Sequence, residues 1–381
     1  MEEKKFDLNS LLGFILLFAL AGFYLYNNMP SKEELAKQKQ EETRIKDSIA
    51  NVAEKAKVIK QTTVAPIITN SIENDSVRSA NTLAKVGTFE YAATLNSAKN
   101  QDTTIKNEVL DIKVANKGGQ ISSLELTNYK TYDAKNLFLI KENNALLNLT
   151  LQTKDGRTIY TKDHYFEPTL SKNGANQVLS MKLKVSENQY LEYQYILKPN
   201  EYMLDFKINS VGLANVLNTS QQVDLQWDLK TMRTEKSVKY ENQYTDFRYL
   251  FDGDEWDYTM RDKEVEEENV NWVSYKKQFF STILLADKQF AKAKMSQKNL
   301  VKDELIDTVY TKQLKSTVSL AYKGNELAEN MQLYYGPNDK NQFKLYEDKK
   351  LDYNLGIGVS IFRSVNKYFV APLFDFIHII Y

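Results

Sequence analysis

The sequence contains no cysteine and only two histidines, His164 and His378, in 381 residues. The first absence removes disulfides, thiol nucleophiles and thiolate metal sites, and it fits any redox compartment. The second leaves too few imidazoles for most His-based zinc or Ser-His-Asp constellations. Glycine and proline are sparse, at 13 and 6, so the chain is not of low complexity. Charge of one sign is also missing. Lys plus Arg and Asp plus Glu number 50 each, which gives no global attraction to nucleic acid. No glycine-rich phosphate loop and no G-x-S-x-G is present. Aromatic residues are plentiful instead. The 24 Tyr and 18 Phe favour strands and point to a mainly β body.

One long uncharged run stands out, at residues 11–26. With Leu8 ahead of it, the run is just long enough to cross a bilayer core as a helix, which takes roughly 17–25 residues. Leu11, Phe14, Leu17, Phe18 and Phe23 supply its apolar surface, and Tyr24 and Tyr26 suit the headgroup layer. The run reads as an uncleaved anchor in residues 1–30. A cleaved signal peptide is the first competing reading, because Lys4 and Lys5 precede the run and Ala19-Leu20-Ala21 has small-x-small form. A buried core helix is the second. Ser31-Lys32-Glu33-Glu34 forms a capping-box pattern, so a polar helix is expected to about residue 60. Residues 61–104, rich in Thr, Ser, Asn and Ala without period, read as a flexible linker. Lys32, Lys37, Lys39, Arg44 and Lys46 outnumber the two lysines ahead of the run, a bias that alone would place the linker in the cytoplasm.

From 105 to 345 the pattern is of strands. Leu110, Ile112 and Val114 alternate with polar residues, Gly118-Gly119 offers a turn, and Ile121, Leu124 and Leu126 resume. Residues 178–210 read as a three-strand meander, 223–229 as a further strand, and 278–286, 290–296, 307–322 and 331–335 as others. So many antiparallel strands suggest two packed sheets. Asp339 to Asp348 allows a short helix. Residues 262–268 form an acidic run that reads as a solvated loop, and Asp252-Gly253-Asp254 reads as an acidic turn rather than a calcium loop. His164 reads as a structural residue in a strand.

Residues 346–381 differ again. Phe362, Val365, Phe369, Leu373, Phe376 and Ile380 recur at spacings of three and four, with Ser360, Arg363, Ser364 and Lys367 opposite. That is an amphipathic helix able to lie in a membrane interface, with Pro372 as a kink before the apolar Leu373-Phe374. A core helix docked on the sheets is the alternative.

Four stretches in this order resemble the membrane protein insertase YidC family of Gram-negative bacteria, in a Bacteroidetes-like version. Gly118-Gly119-Gln120-Ile121, followed by Leu126-Thr127-Asn128-Tyr129-Lys130-Thr131-Tyr132-Asp133, resembles the first strands of the family's periplasmic domain. Trp272-Val273-Ser274-Tyr275-Lys276-Lys277-Gln278-Phe279-Phe280 resembles its central strand, and Leu333-Tyr334-Tyr335-Gly336-Pro337 a strand end. Leu351-Asp352-Tyr353-Asn354-Leu355-Gly356 followed by Pro372-Leu373-Phe374 resembles the entry to an interfacial helix. The resemblance implies a periplasmic β-supersandwich at the bacterial inner membrane. It also implies a non-enzymatic role in inserting and folding inner-membrane proteins, alone or with the Sec translocon. The implied partners are SecD/SecF-type subunits, nascent membrane proteins and the lipid bilayer, with no nucleic acid, metal or cofactor. The family's further spans, with a groove and a membrane-embedded Arg, find no match here, since Arg363 lies on the interfacial helix. The sequence therefore reads as a fragment or as a truncated gene product.

The β-supersandwich also occurs in mutarotases and carbohydrate-binding modules. A membrane-tethered periplasmic carbohydrate-binding protein is thus the alternative, with Trp227, Trp256 and Trp272 as candidate sugar platforms.

Overall fold

The computed structural model describes residues 87–259 and 262–355. The expected anchor (Leu11, Phe14, Leu17, Phe18, Phe23, Tyr24, Tyr26), the polar helix and most of the linker lie outside the described residues. So does the expected interfacial helix, with Phe362, Arg363, Val365, Lys367, Phe369, Leu373 and Phe374.

The fold is built on antiparallel strands whose burial alternates as the sequence pattern anticipated. A small sheet is formed by β1 (Asp102–Lys106), β2 (Leu110–Ala115), β3 (Ile121–Lys130) and β4 (Asn136–Ile140) in that order. In β3 the apolar positions 121, 124 and 126 break strict alternation because a bulge lies where Val114 pairs with Ile121. The large sheet takes in β5 (Ala145–Gln152), β6 (Thr158–Tyr160), β7 (Glu167–Asn173), β8 (Asn176–Lys184), β9 (Tyr190–Leu197), β10 (Met203–Val211) and β11 (Val223–Met232). It continues with β12 (Asp246–Phe251), β13 (Glu255–Thr259), β14 (Lys263–Lys276), β15 (Phe280–Asn299), β16 (Tyr310–Leu320) and β17 (Ala328–Pro337). The meander read from the sequence is β8-β9-β10, in which every other side chain of β9 is buried.

β15 organises the large sheet. Its first half pairs with β17 and the second half of β14, and its second half pairs with β16 and the first half of β14. Between them the register jumps from Trp272↔Leu285 to Val270↔Phe290, leaving 286–289 as a wide bulge. The sequence pattern broke at this place into two expected strands; the chain makes one strand with a corner in it. At the corner the sheet turns back on itself. Tyr275 of β14 stacks on Trp227 of β11, with ring centroids 4.2 Å apart, and its hydroxyl lies 2.8 Å from Ser316 Oγ of β16. The fold-back therefore brings the two ends of β15, Phe280 and Asn299, to the same end of the domain.

Three expectations are corrected. Residues 87–104 are not linker. A 3-10 turn (Gly87–Phe89) and the short helix α1 (Glu90–Thr94) bury Phe89 and Ala92 in the core, and β1 starts at Asp102. The acidic run 262–268 is largely strand, being the start of β14. It is solvated as expected, and Glu266 pairs there with Lys292 and with Lys294 at 3.0 Å. His164 caps a 3-10 turn (Thr161–Asp163) instead of lying in a strand. It is buried against Phe89, and that burial holds its imidazole below the usual histidine range.

Candidate functional site

The end of the domain at which the described chain reaches Leu355 gathers an unusual set of residues. It is built around the hairpin between β14 and β15. From Trp272 to Lys277 every residue is buried, so this strand end is covered on both faces. On one face Tyr275 meets the core. On the other, Trp272 Nε1 donates to Lys349 O at 3.1 Å, which pins the C-terminal segment to the strand.

Two consecutive lysines stay inside this cover, each satisfied differently. Lys277, 4 % exposed, donates to Thr234 Oγ1 at 2.9 Å and pairs with Glu241 at 3.1 Å. Glu241, fully buried on helix α2 (Val238–Gln243), also accepts from the Thr234 backbone and hydroxyl and from Glu235 N. Burial pulls the Lys277 ammonium below the ordinary lysine range, and Glu241 opposes that pull. Lys276 donates only to Lys277 O, at 3.3 Å. Burial, helped by the nearby Arg248 charge and opposed by Asp246, lowers its pKa to about 8. Arg248 grips Asp246 with two hydrogen bonds, at 2.9 and 3.1 Å, and gives a third to Asn354 O at 3.1 Å. Lys312 donates to Thr245 O, and burial lowers its pKa as well. These charges fasten α2, β12 and the C-terminal segment to the hairpin.

Neutral side chains complete the junction. Ser281 Oγ donates to Asn338 Oδ1 at 2.5 Å and accepts from Asn354 Nδ2 at 2.8 Å, while Asn338 Nδ2 donates to Lys277 O at 2.8 Å. Helix α3 (Lys340–Lys344) begins just beyond, capped by Asp339. Gly336 pairs with Ser281 and Pro337 with Phe280. A Cβ at Gly336 would lie 2.7 Å from Tyr334 Oη and 2.9 Å from the Tyr202 ring, so only glycine fits.

The structure thus joins motif residues far apart in sequence. Tyr129 meets Phe280 edge to face at 5.1 Å, and Phe280 neighbours Pro337. Trp272 touches the C-terminal segment. Phe279, in contrast, is 51 % exposed. Lys130 is exposed and bonds Asn136 across its own hairpin at 2.6 Å. Gly118 and Gly119 are elsewhere. Both have positive φ, and Gly119 O accepts from Tyr195 Oη at 2.8 Å under the Phe166 ring. Sequence reasoning did not single out Glu241, Arg248, Asp246 or Asn338, and it quoted Asn354 only as part of a motif stretch. The available signal was the pair Lys276-Lys277 inside an aromatic strand, a place where charge needs a partner.

Aromatic sugar platforms on Trp227 and Trp272 are not built. Both rings are buried, at 3 % and 1 % exposure, and only Trp256 keeps a partly exposed face. Asp252-Gly253 is the tight turn between β12 and β13, with both residues at positive φ and Asp252 accepting from Asn269 Nδ2 at 2.9 Å.

The sequence model described as the YidC periplasmic domain matches residues 102–371. The chain belongs to that family. A membrane protein insertase YidC of Parabacteroides distasonis is 33 % identical over 388 residues, covering 97 % of this chain and 59 % of that protein. One of Porphyromonas gingivalis is 29 % identical over 385 residues, covering 97 % and 59 %. This chain therefore spans about 59 % of the length of these relatives. The crystal structure of the periplasmic domain of the Thermotoga maritima YidC is similar at a TM-score of 0.37 and 11 % identity, over 68 % of this chain and 95 % of that one. The converging motif stretches, from Tyr129 to Asn354, all fall inside the matched YidC periplasmic domain range.

Proposed function

We propose that this chain is the anchoring and docking part of a bacterial inner-membrane protein insertase, with the β domain in the periplasm. The observation that carries the reading is the family match over 102–371 together with a named insertase aligned over 97 % of the chain. In this reading the role is non-enzymatic, and the buried charges at the hairpin are engaged in holding structure. In this reading residues 1–30 anchor the chain and 346–381 lead along the membrane interface. Large domains translocate largely regardless of their charge, which reconciles the lysine-rich residues 32–46 with a periplasmic domain. SecD/SecF-type translocon subunits and nascent inner-membrane proteins are the partners.

Depletion of the whole gene product in its host tests this. Protease protection of newly made inner-membrane proteins should show a loss of insertion, and unchanged insertion overturns the reading. Photo-cross-linkers on the β domain should also capture SecD/SecF-type subunits from native membranes. Their absence removes the translocon from the proposal.

A further inference from the structure

Among the described residues, eleven large apolar or aromatic side chains are exposed, and Tyr132, Phe279, Leu305 and Ile306 are among those at the end of the domain just described. Three separate loops present the most prominent. Tyr132 follows β3, and its backbone N–H bonds Thr234 O at 3.0 Å while the Arg233 guanidinium lies 4.7 Å from its ring. Phe279 is the tip of the β14–β15 hairpin. Leu305 and Ile306, 78 % and 60 % exposed, top the loop between β15 and β16.

That last loop is a built presentation. Asp307 accepts from Lys302 N and Asp303 N at 2.8 and 2.9 Å, and Asp303 Oδ1 accepts from Leu305 N at 2.8 Å. Two carboxylates thus close a turn that holds two aliphatic side chains outward. The loops are tied together, since Arg233 N donates to Val309 O at 2.8 Å and Lys277 reaches Thr234. Tyr240 on α2 and Tyr244 at its C-terminal cap pair nearby, with ring centroids 4.7 Å apart.

We propose that this rim docks on the headgroup layer of a lipid bilayer, with Leu305, Ile306 and Phe279 entering it. Three features select lipid over a protein partner. First, the apolar tips sit on separate loops with polar residues between them. A fluid layer accepts scattered anchors, whereas a protein interface concentrates its binding in a contiguous packed centre. Second, Tyr132 and Arg233 stand on the loops tied to Val309, a mixture that suits a membrane–water boundary, while Asp303 and Asp307 beside the aliphatic tips are engaged by backbone N–H groups of their own turn. Third, the last described residues lie here. Asn354 is bonded to Ser281 at the hairpin, and the sequence after Leu355 carries the amphipathic stripe of Phe362, Val365 and Phe369. The inference rests on this geometry and on the proposed interfacial reading of residues 346–381, not on insertion activity.

The natural absence of cysteine makes the test clean. Leu305→Cys, Ile306→Cys, Phe279→Cys and Val211→Cys each carry an environment-sensitive dye on the full chain. The chain is reconstituted in phosphatidylethanolamine–phosphatidylglycerol vesicles with or without a headgroup-proximal nitroxide lipid. Val211 is the control, being exposed at the other end of β10, roughly 27 Å along the strand from Met203. Dyes at 305, 306 and 279 should lose about half or more of their emission to the nitroxide lipid while the dye at 211 keeps its own. Adding Leu305→Asp and Ile306→Asp should reduce the quenching at 279. Equal quenching at all four sites overturns the proposal. So does shielding of the rim dyes from both nitroxide lipid and aqueous iodide, which means that protein covers the rim. All four labelled positions are exposed, so labelling leaves the fold intact.

Discussion

Replacing Glu241 by Gln keeps the shape of a fully buried side chain and removes its charge. The Glu241 carboxylate accepts from Thr234 N, Thr234 Oγ1, Glu235 N and Lys277 Nζ, all within 3.2 Å. In the Gln variant one of these oxygens becomes an NH2 aimed at N–H donors, and Lys277 keeps a buried charge with only the weaker attraction of Glu235 to oppose it. Breaking a buried pair in this way costs about 3–5 kcal/mol. Lys277→Met should cost less, about 2–3 kcal/mol, because the Glu241 carboxylate retains its Thr234 and Glu235 donors. The order of the two losses is the distinctive expectation. Urea unfolding of the full chain in detergent, followed by emission of the buried Trp227 and Trp272, measures both. A loss of 3 kcal/mol moves the midpoint by about 1 M. The Gln deficit should also shrink as pH rises. Lys277 has a folded pKa below its ordinary value, so the unfolded chain binds the extra proton in the window between the two, and stability climbs with pH across it. A loss for Glu241→Gln under about 1 kcal/mol, or a larger loss for Lys277→Met, refutes the reasoning.

Lys276→Met should stabilise the domain at neutral pH by about 1–2 kcal/mol, since it relieves a buried ammonium whose pKa has dropped to about 8. The parent closes the gap between pH 8 and the ordinary lysine value of 10.5, because its native state sheds that proton before the unfolded state does. The difference between the two midpoints plotted against pH checks the sign. Gly119→Ala should cost about 2–4 kcal/mol, since φ is +62° and the new Cβ would lie 2.9 Å from the Phe166 ring. Gly156→Ala, with positive φ but open space, should cost only about 1 kcal/mol by the same unfolding assay. Phe279→Ser should leave stability within about 0.5 kcal/mol, because half of that ring is in solvent. A large loss on denaturation would mean that the ring belongs to the core and not to the rim.

Much of the fold was legible because a half-buried strand writes its faces into the sequence with period two. The meander of β8, β9 and β10 shows this, with Leu191, Tyr193, Tyr195 and Leu197 all buried. Where both faces are covered, the period disappears. Residues 272–277 are buried throughout, so alternation could not say which side each faced. A local resemblance, and not the pattern, marked them. Short buried pieces were illegible for another reason. Phe89 and Ala92 lie in a stretch with too few apolar residues to reveal a period, and only the core they plug explains them. The charge network was half visible: Lys276-Lys277 announces a need for partners, but Glu241 lies 36 residues upstream on a helix of one and a half turns.

The convergence of the motif stretches follows from a single irregularity. The bulge at 286–289 interrupts β15 and lets its two halves lie in different layers. A straight strand of twenty residues would hold Phe280 and Asn299 about 60 Å apart. Folded at the bulge, the same strand sets the 300–309 loop beside the 277–280 hairpin, and Lys277, Glu241 and Thr234 lock the junction. The exposed apolar tips on those two loops are therefore neighbours only in the folded chain. Filling or deleting the bulge should separate them and remove the rim, while the pairing of β8, β9 and β10, which does not pass through β15, persists.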